Sequence, residues 1–563
     1  GSDYNPSAVD ADLLRLQKHY FDRGYLDVRA SVEGVEEDES GKAVALHLRI
    51  EEGEVTVVRE VEVRVAGAIP PELPSIEALT RDLPLRVNRP ITKAAFDASR
   101  DQLLLALQSA GYARAAVQPR TEVDRQAHEA FVRFTLEAGE RTNFGQVTIR
   151  GADKVKPEAI RRRLTFRPGQ VYSPMGVTES QAAIYDLGMF RSVTPRSLNP
   201  EDAGDPLDIE FEVSERQPRS FEIGLGLSTV ERFRLQASWT FRNIFGGAQH
   251  LSLSGKASGL GMALETRFHL PHLITPRTRF TQTAYVDRQE ELNTDPLGLT
   301  DRIFDIEDAQ PAFDVLRYGA ESRFDHRFGR TIGVAAGVEV SSNKFSGVDP
   351  LVVLELGSDV AVDHFLLTQF AELTWNTSDR AINATRGFVG LIRAEHSATG
   401  ILSDFDFVKA VIEGRRYLRL WPRTTLAGRL KLGFVKPYGE TDVAPFNVRF
   451  YAGGPGSIRG FGLNRVGPLA ADGVPLGGHG LIEGSMELRF AVIGELGGVF
   501  FVDFGQVHQA SLGYRIEDLR YAVGPGIRYN TPIGPVRFDV GFIINRRVDE
   551  PFGRIELSIL QAF

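Results

Sequence analysis

Few residues of this chain are spaced for catalysis or metal binding. His269 and His272 sit close together by a strand end, where a histidine pair near a turn reads as structural. The acidic runs Glu36–Glu39 and Asp301–Asp308 offer the oxygen ligands that calcium takes. A solvated hairpin turn and an outer loop account for them equally well. There is no Gly-x-Ser-x-Gly elbow, no Gly-Lys-Ser/Thr phosphate loop and no His-Glu-x-x-His pair. None of the 563 residues is cysteine, which excludes thiol catalysis, cysteine-ligated zinc, iron–sulfur clusters and a disulfide scaffold. The chain reads as a non-enzyme with neither cofactor nor metal.

Charge pairing is the chemistry open to Arg459. It lies in Gly456-Ser-Ile458-Arg459-Gly460-Phe461, inside the longest segment without periodic pattern, at about 438–479. A loop of that length needs an anchor to be ordered. The Gly453-Gly-Pro-Gly456 run lets it turn sharply, and a guanidinium can grip a carboxylate through a two-pronged fork. Candidate acceptors lie on following strands. Asp503 and Gly505 share a face of Phe501–Gly505, and Glu483 and Glu487 share a face of Leu481–Arg489. The alternative is a solvated surface arginine.

Those strands belong to a long β-region. From Gln217-Pro218 onward the segments alternate apolar with polar or small residues, and almost no convincing helix is found. In Pro535–Ile544 the residues Val536, Phe538, Val540, Phe542 and Ile544 share one face, and Arg537, Asp539 and Gly541 the other. Phe221, Ile223, Leu225 and Leu227 form an apolar face near the start. Period two with one wholly apolar face means that one side meets an apolar medium. Arg, Asp, Glu and Gly opposite suit a wet lumen better than a dry core. Short turns at Asn243–Gly247, Phe328–Arg330, Trp421–Arg423, Gly494–Glu495 and Thr531–Gly534 alternate with long loops at about 288–313, 344–359, 438–479 and 506–520. The final segment, Arg554–Phe563, is itself a strand. A transmembrane barrel of about sixteen antiparallel strands is expected over 217–563, with both ends on the short-turn side. Trp239, Trp375 and Trp421 are expected at membrane interfaces.

The first half repeats a helix, a glycine and a hairpin, in phase at Gly24, Gly111 and Gly188. In the last two copies a strand and a short helix come first, as in Asn143–Arg150 and Lys156–Leu164. The predicted domains are a partial repeat over 1–53, complete repeats over 54–140 and 141–216, and the barrel. The fold class is thus α+β repeats followed by an all-β barrel. Open strand edges on such repeats can recruit an added strand. A net charge of −9 argues against a protein that coats nucleic acid. No apolar run is long enough for a transmembrane helix, and Gly1-Ser2 looks like a vector remnant on a mature or shortened chain.

Taken together, these residues resemble the BamA/TamA superfamily of outer-membrane assembly and secretion proteins, most closely a TamA-type factor, along essentially the whole chain. The repeats resemble POTRA domains. Ser457–Phe461 is similar to the family's Val-Arg-Gly-Tyr motif, with Ile458 and Phe461 as conservative departures. Phe501–Gly505 resembles its Phe-x-Asp-x-Gly strand, Gly526–Gly541 a third motif and Asn383–Gly387 a periplasmic turn. The resemblance implies an outer-membrane barrel with periplasmic N-terminal domains. It implies a loop folded into the lumen, with Arg459 on Asp503 and a glutamate nearby. It also implies a lateral gate between the first and last strands: Phe221, Gly224 and Gly226 on one side, and Ile555, Leu557, Ile559 and Phe563 on the other. Gly224 and Gly226 weaken strand packing, or else simply face a crowded lumen. Gln561 departs from the family's terminal pattern. The implied partners are unfolded client proteins, outer-membrane lipid and a periplasm-spanning or inner-membrane protein. A two-partner-secretion-type transporter and a passive channel are the alternatives.

Overall fold

A computed structural model describes residues 6–37, 44–199, 206–275, 277–289, 314–357, 362–471, 473–531, 534–548 and 550–559. The chain divides into two compact units, Gly1–Arg216 and Gln217–Phe563.

The first unit opens with α1 (Pro6–Phe21) and the hairpin β1 (Arg29–Glu37) and β2 (Val44–Glu51). Next come β3 (Val57–Val65), α2 (Ile76–Arg81), α3 (Lys93–Ser109), β4 (Ala116–Asp124) and β5 (Glu129–Glu137). The same order recurs as β6 (Phe144–Arg150), α4 (Pro157–Arg161), α5 (Pro174–Tyr185), β7 (Phe190–Ser197) and β8 (Leu207–Glu215). In both five-element repeats the first strand runs parallel to the last, and the second strand pairs with the last antiparallel. A parallel pair needs a crossover, which the helices supply. Alternation along β5 buries Ala130, Val132, Phe134 and Leu136, and the last three share one core with Leu103 and Leu107 of α3. The β1–β2 sheet has only two strands, and Leu46, Leu48 and Ile50 of β2 stay exposed.

A recurring joint connects the repeats. Gly24 and Gly111 take φ of +97° and +101°, a left-handed conformation that ends a helix without Cβ strain. Their carbonyls accept the N–H groups of Thr56 and Thr142. The carbonyls of those buried threonines in turn accept the N–H groups of Ile91 and Tyr172. The backbones approach closely there: a Cβ on Gly111 would lie 2.7 Å from Val171 Cγ1.

The second unit is one antiparallel sheet of sixteen strands in chain order. They are β9 (Arg219–Ser228), β10 (Arg232–Arg242), β11 (His250–Ser258), β12 (Gly261–Leu270), β13 (Thr278–Gln289), β14 (Asp314–Phe328), β15 (Ile332–Ser346) and β16 (His364–Asn376). The rest are β17 (Gly387–Ser397), β18 (Phe407–Trp421), β19 (Thr424–Pro437), β20 (Gly480–Ile493), β21 (Leu496–His508), β22 (Arg520–Thr531), β23 (Gly534–Ile543) and β24 (Gly553–Ile559). The sheet curls into a nearly closed barrel. Trp239, Trp375 and Trp421 all sit toward the short-turn ends of their strands with exposed rings, so they mark one girdle.

Two features differ from the sequence reading. The long loop at 344–359 contains a helix, α6 (Pro350–Leu356), capped by Asp349 Oδ1 on Leu351 N–H at 2.8 Å. Its signal was the Asp-Pro pair at the helix start. The lumen is also not simply wet. Residues Phe450, Ala452, Ile458, Phe461 and Val466 of the segment between β19 and β20 pack on wall residues Phe407, Val435, Leu481, Val507, Ala522 and Ile543. The loop brings its own apolar core into the barrel. The acidic run Asp301–Asp308, part of Glu36–Glu39, Gln561 and Phe563 lie outside the described residues.

The crowded joint sets a test. Gly111→Ala is expected to cost about 1–2 kcal/mol from the left-handed backbone alone. Hydrogen exchange at the Thr142 and Tyr172 amides should quicken while barrel amides keep their protection.

Candidate functional site: a lumenal arginine anchor and an open seam

The loop returns on itself at Gly453 and Gly454, both at positive φ, and Ser457 Oγ accepts the Gly453 N–H at 2.9 Å. That turn delivers Arg459 to the wall, where it is 1 % exposed. Its Nε and Nη2 donate to the two oxygens of Asp503 at 2.7 and 2.8 Å, and its own backbone N–H adds a third bond at 3.1 Å. Nη1 meets Glu487 Oε1 at 2.5 Å and Asp539 Oδ2 at 3.4 Å. The guanidinium carbon lies 3.5 Å from the centre of the Phe501 ring, adding a cation–π contact. Ser485 completes the shell, donating to Asp503 at 2.6 Å.

The neighbouring glycines make room for this seat. A Cβ on Gly505 would lie 2.6 Å from Ile458 Cδ1, so the missing side chain is the pocket for Ile458. Gly460, at φ +89°, lies against Gly541 of β23, where a Cβ would come within 2.9 Å of backbone. The buried Phe461 ring sits under Arg520, 5.0 Å from its guanidinium.

The structure thus brings Ile458, Arg459, Gly460, Phe461, Asp503, Gly505 and Glu487 together. Glu483 stands one step away, 3.0 Å from Arg429, which also donates to Gly456 O at 3.0 Å. Residues not singled out from sequence complete the network: Arg489 bonds Glu487 at 2.7 Å, and Arg528 bonds Asp539 at 2.5 Å. Arg537 and Glu556 lie beside them, both buried. Their signal was parity, because each occupies the non-apolar face of an alternating strand.

The seam residues are less gathered. β9 and β24 stand at opposite ends of the sheet order. Among the described residues one backbone hydrogen bond joins the two sides, Thr229 N–H to Leu557 O at 3.3 Å. Phe221 and Ile555 face outward and exposed. Leu557 pairs opposite Phe538, and Ile559 opposite Val536. The two glycines differ: a Cβ on Gly226 would lie 3.1 Å from Arg234 Nε, whereas one on Gly224 would meet only Gln236 Cβ at 3.9 Å. Gly226 makes room for an arginine, and Gly224 is not crowded. His269 lies on β12 with Thr281 Oγ1 at 3.1 Å and its ring edge toward His250.

The turn after β16 is held by a carboxylate. Asp379 accepts the Thr385 N–H at 2.8 Å, the Thr385 hydroxyl at 2.7 Å and the Arg386 N–H at 3.1 Å. Partial burial works to raise its pKa, but these bonds prevail and hold it at about 2.

Comparison with known proteins matches residues 243–563 to the Omp85 superfamily domain, which covers the greater part of the chain. The chain belongs to the Omp85 superfamily. Residues 1–53 and 142–216 match the POTRA family, described as the surface antigen variable number repeat. Outer membrane protein assembly factor BamA of Nitratidesulfovibrio vulgaris is 25% identical over 461 residues, 80% of this chain. The chain spans 55% of that relative's length. BamA of Neisseria meningitidis is 21% identical over all of this chain and 73% of the relative. Among solved structures, Haemophilus ducreyi BamA lacking POTRA domains 1–3 has a TM-score of 0.67 at 18% identity, covering 88% of this chain and 98% of that one. CdiB from Acinetobacter baumannii has a TM-score of 0.50 at 13% identity, covering 99% of each. The two BamA relatives are named outer membrane protein assembly factors, and these matches lend no support to the narrower TamA-type expectation. An Omp85 barrel of this kind lies in an outer membrane, with its POTRA domains in the periplasm.

Two tests follow from this geometry. Arg459→Ala leaves Asp503 buried without its cation, a loss of about 3–5 kcal/mol, while Glu487 keeps Arg489. Limited proteolysis should then cut between residues 438 and 479, and Arg459→Lys, lacking the fork, should only partly protect. For the turn, the folded pKa of Asp379 lies below its ordinary 3.8. Its stabilisation is therefore complete above about pH 4 and lost as pH falls through 2. Asp379→Asn should lower protection of the Thr385 and Arg386 amides at pH 7, and wild type should approach that lower protection only in strong acid.

Proposed function

We propose that this chain is an outer-membrane assembly factor that receives unfolded outer-membrane or secreted polypeptides and aids their insertion through the seam between β9 and β24. The repeats over 1–53, 54–140 and 141–216 act as POTRA domains that take up clients, and a periplasm-spanning or inner-membrane partner delivers them. The observation that carries this reading is the seam. Fifteen neighbouring strand pairs form ladders, while across the seam the described residues share one backbone hydrogen bond, from Thr229 just past β9 to Leu557 of β24. An edge so lightly paired offers its N–H and C=O groups to an incoming strand. Outer-membrane lipid lies directly outside it, against Phe221, Ile223 and Leu225. The named relatives, outer membrane protein assembly factors, support the same reading.

Translocation of one polypeptide through the lumen, as in two-partner secretion, fits less well. That reading assigns Ala8–Asp22 to a lumenal plug helix. Here α1 is tied to its own hairpin by Gln17 Nε2 donating to Ala30 O at 3.2 Å. A passive channel fits poorly with a lumen occupied by a packed loop.

The chain has no cysteine, so an introduced pair is unambiguous. Thr229→Cys with Leu557→Cys, oxidised in liposomes, should abolish insertion of an unfolded barrel client, and reduction should restore it. Insertion that proceeds with the seam locked, or a polypeptide that still crosses the lumen, would overturn the proposal.

A further inference from the structure

The anchored loop also grips the terminal strand. Gly460 N–H donates to Glu556 Oε1 on β24 at 3.3 Å. Arg537 of β23 makes a second link: Nη2 donates to Pro455 O at 2.6 Å, while Nε donates to Ser558 Oγ. Glu556 and Ser558 are alternate residues of β24, so both links reach its lumen face.

Glu556 is poorly served by its own ladder. It stands opposite Asp539 in the β23–β24 register, and like charges directly opposite weaken a strand pair. Asp539 is taken up by Arg528 and Arg459. Glu556 is 4 % exposed, and its Oε2 has no hydrogen-bond partner. Its hydrogen bond is with the loop's amide, and Arg537 and Arg459 stand near enough to act on its charge. The approach is possible because two glycines meet there: a Cβ on Gly541 would lie 2.5 Å from Gly460 N. Toward β9, by contrast, the loop borders a cavity of about 400 Å³ lined by Gly226, Ser228, Arg234, Gly453, Ser457 and Ser558.

We propose that Glu556 is a positioning residue that ties the terminal strand to the seated loop, so that loop and β24 move as one body and the seam opens by parting β9 from both. The use of this coupling in insertion rests on the function proposed above, but the coupling itself is a property of the empty barrel.

Spin-label distances in client-free nanodiscs test it. One pair, Gly456→Cys with Val338→Cys, reports the loop seat, and another, Leu225→Cys with Ile555→Cys, reports the seam. Glu556→Leu removes the acceptor and should broaden both distributions, whereas Glu556→Gln keeps an acceptor oxygen and should leave both at wild-type width. Arg459→Ala should also broaden both, and adding Glu556→Leu to it should broaden the seam no further. A loop distribution unchanged by Glu556→Leu, or seam effects that add in the double variant, would overturn the coupling. If Glu556→Leu does not fold, Ser558→Ala cuts the second link and should broaden the seam; unchanged width there overturns it equally. No client is present, so failure here leaves insertion through the seam standing. Loss of insertion with the coupling intact would count against the insertion reading alone.

Discussion

A guanidinium 1 % exposed inside a barrel must be neutralised where it stands. That constraint organises the second half of this protein. Arg459 draws carboxylates from β20, β21 and β23 to one point, through Glu487, Asp503 and Asp539. Each of those acids is lumenal because of its parity on an alternating strand, and each would be costly to bury without a cation. Arg489 and Arg528 then balance the remaining charge. The loop that carries Arg459 cannot leave without stranding the buried Asp503 and weakening the pairing of Glu487 and Asp539.

The same seat explains the small residues around it. Gly505 is absent volume for Ile458, and Gly460 and Gly541 bring two backbones together. Apolar loop residues then fill the lumen beside β18 to β23 and turn part of a polar interior into a packed core. Across the seam from β24, β9 borders a cavity, and among the described residues one backbone hydrogen bond, from Thr229 just past β9, reaches β24. A fixed wall and a lightly paired edge thus coexist in one sheet, because the anchor reaches some strands and not others.

Much of this was legible in the residues. Period-two alternation made the barrel and the lumen faces readable, since a one-residue slip would turn every apolar side chain inward. The glycine-rich turn around Arg459 and the acids on following strands marked the anchor. Glu483 was chosen alongside Glu487 because both share a face, but only the real register decides which one lies level with the loop's tip. Arg537 and Glu556 were visible as lumen-facing charges, yet nothing in their own segments connects them to residues some eighty or ninety-six positions away. Helix α6 was missed because seven residues are too few for a periodic pattern.

Local chemistry in the sequence by itself determined the repeats, the strand count, the inward and outward faces, and the arginine in need of a carboxylate, because each follows from periodicity, turn residues and charge. Only the tertiary structure decided which carboxylates meet Arg459, that the loop also holds the terminal strand, and that Gly224 is open where Gly226 is filled. Those outcomes depend on strand register and on contacts between distant segments, which no local pattern encodes.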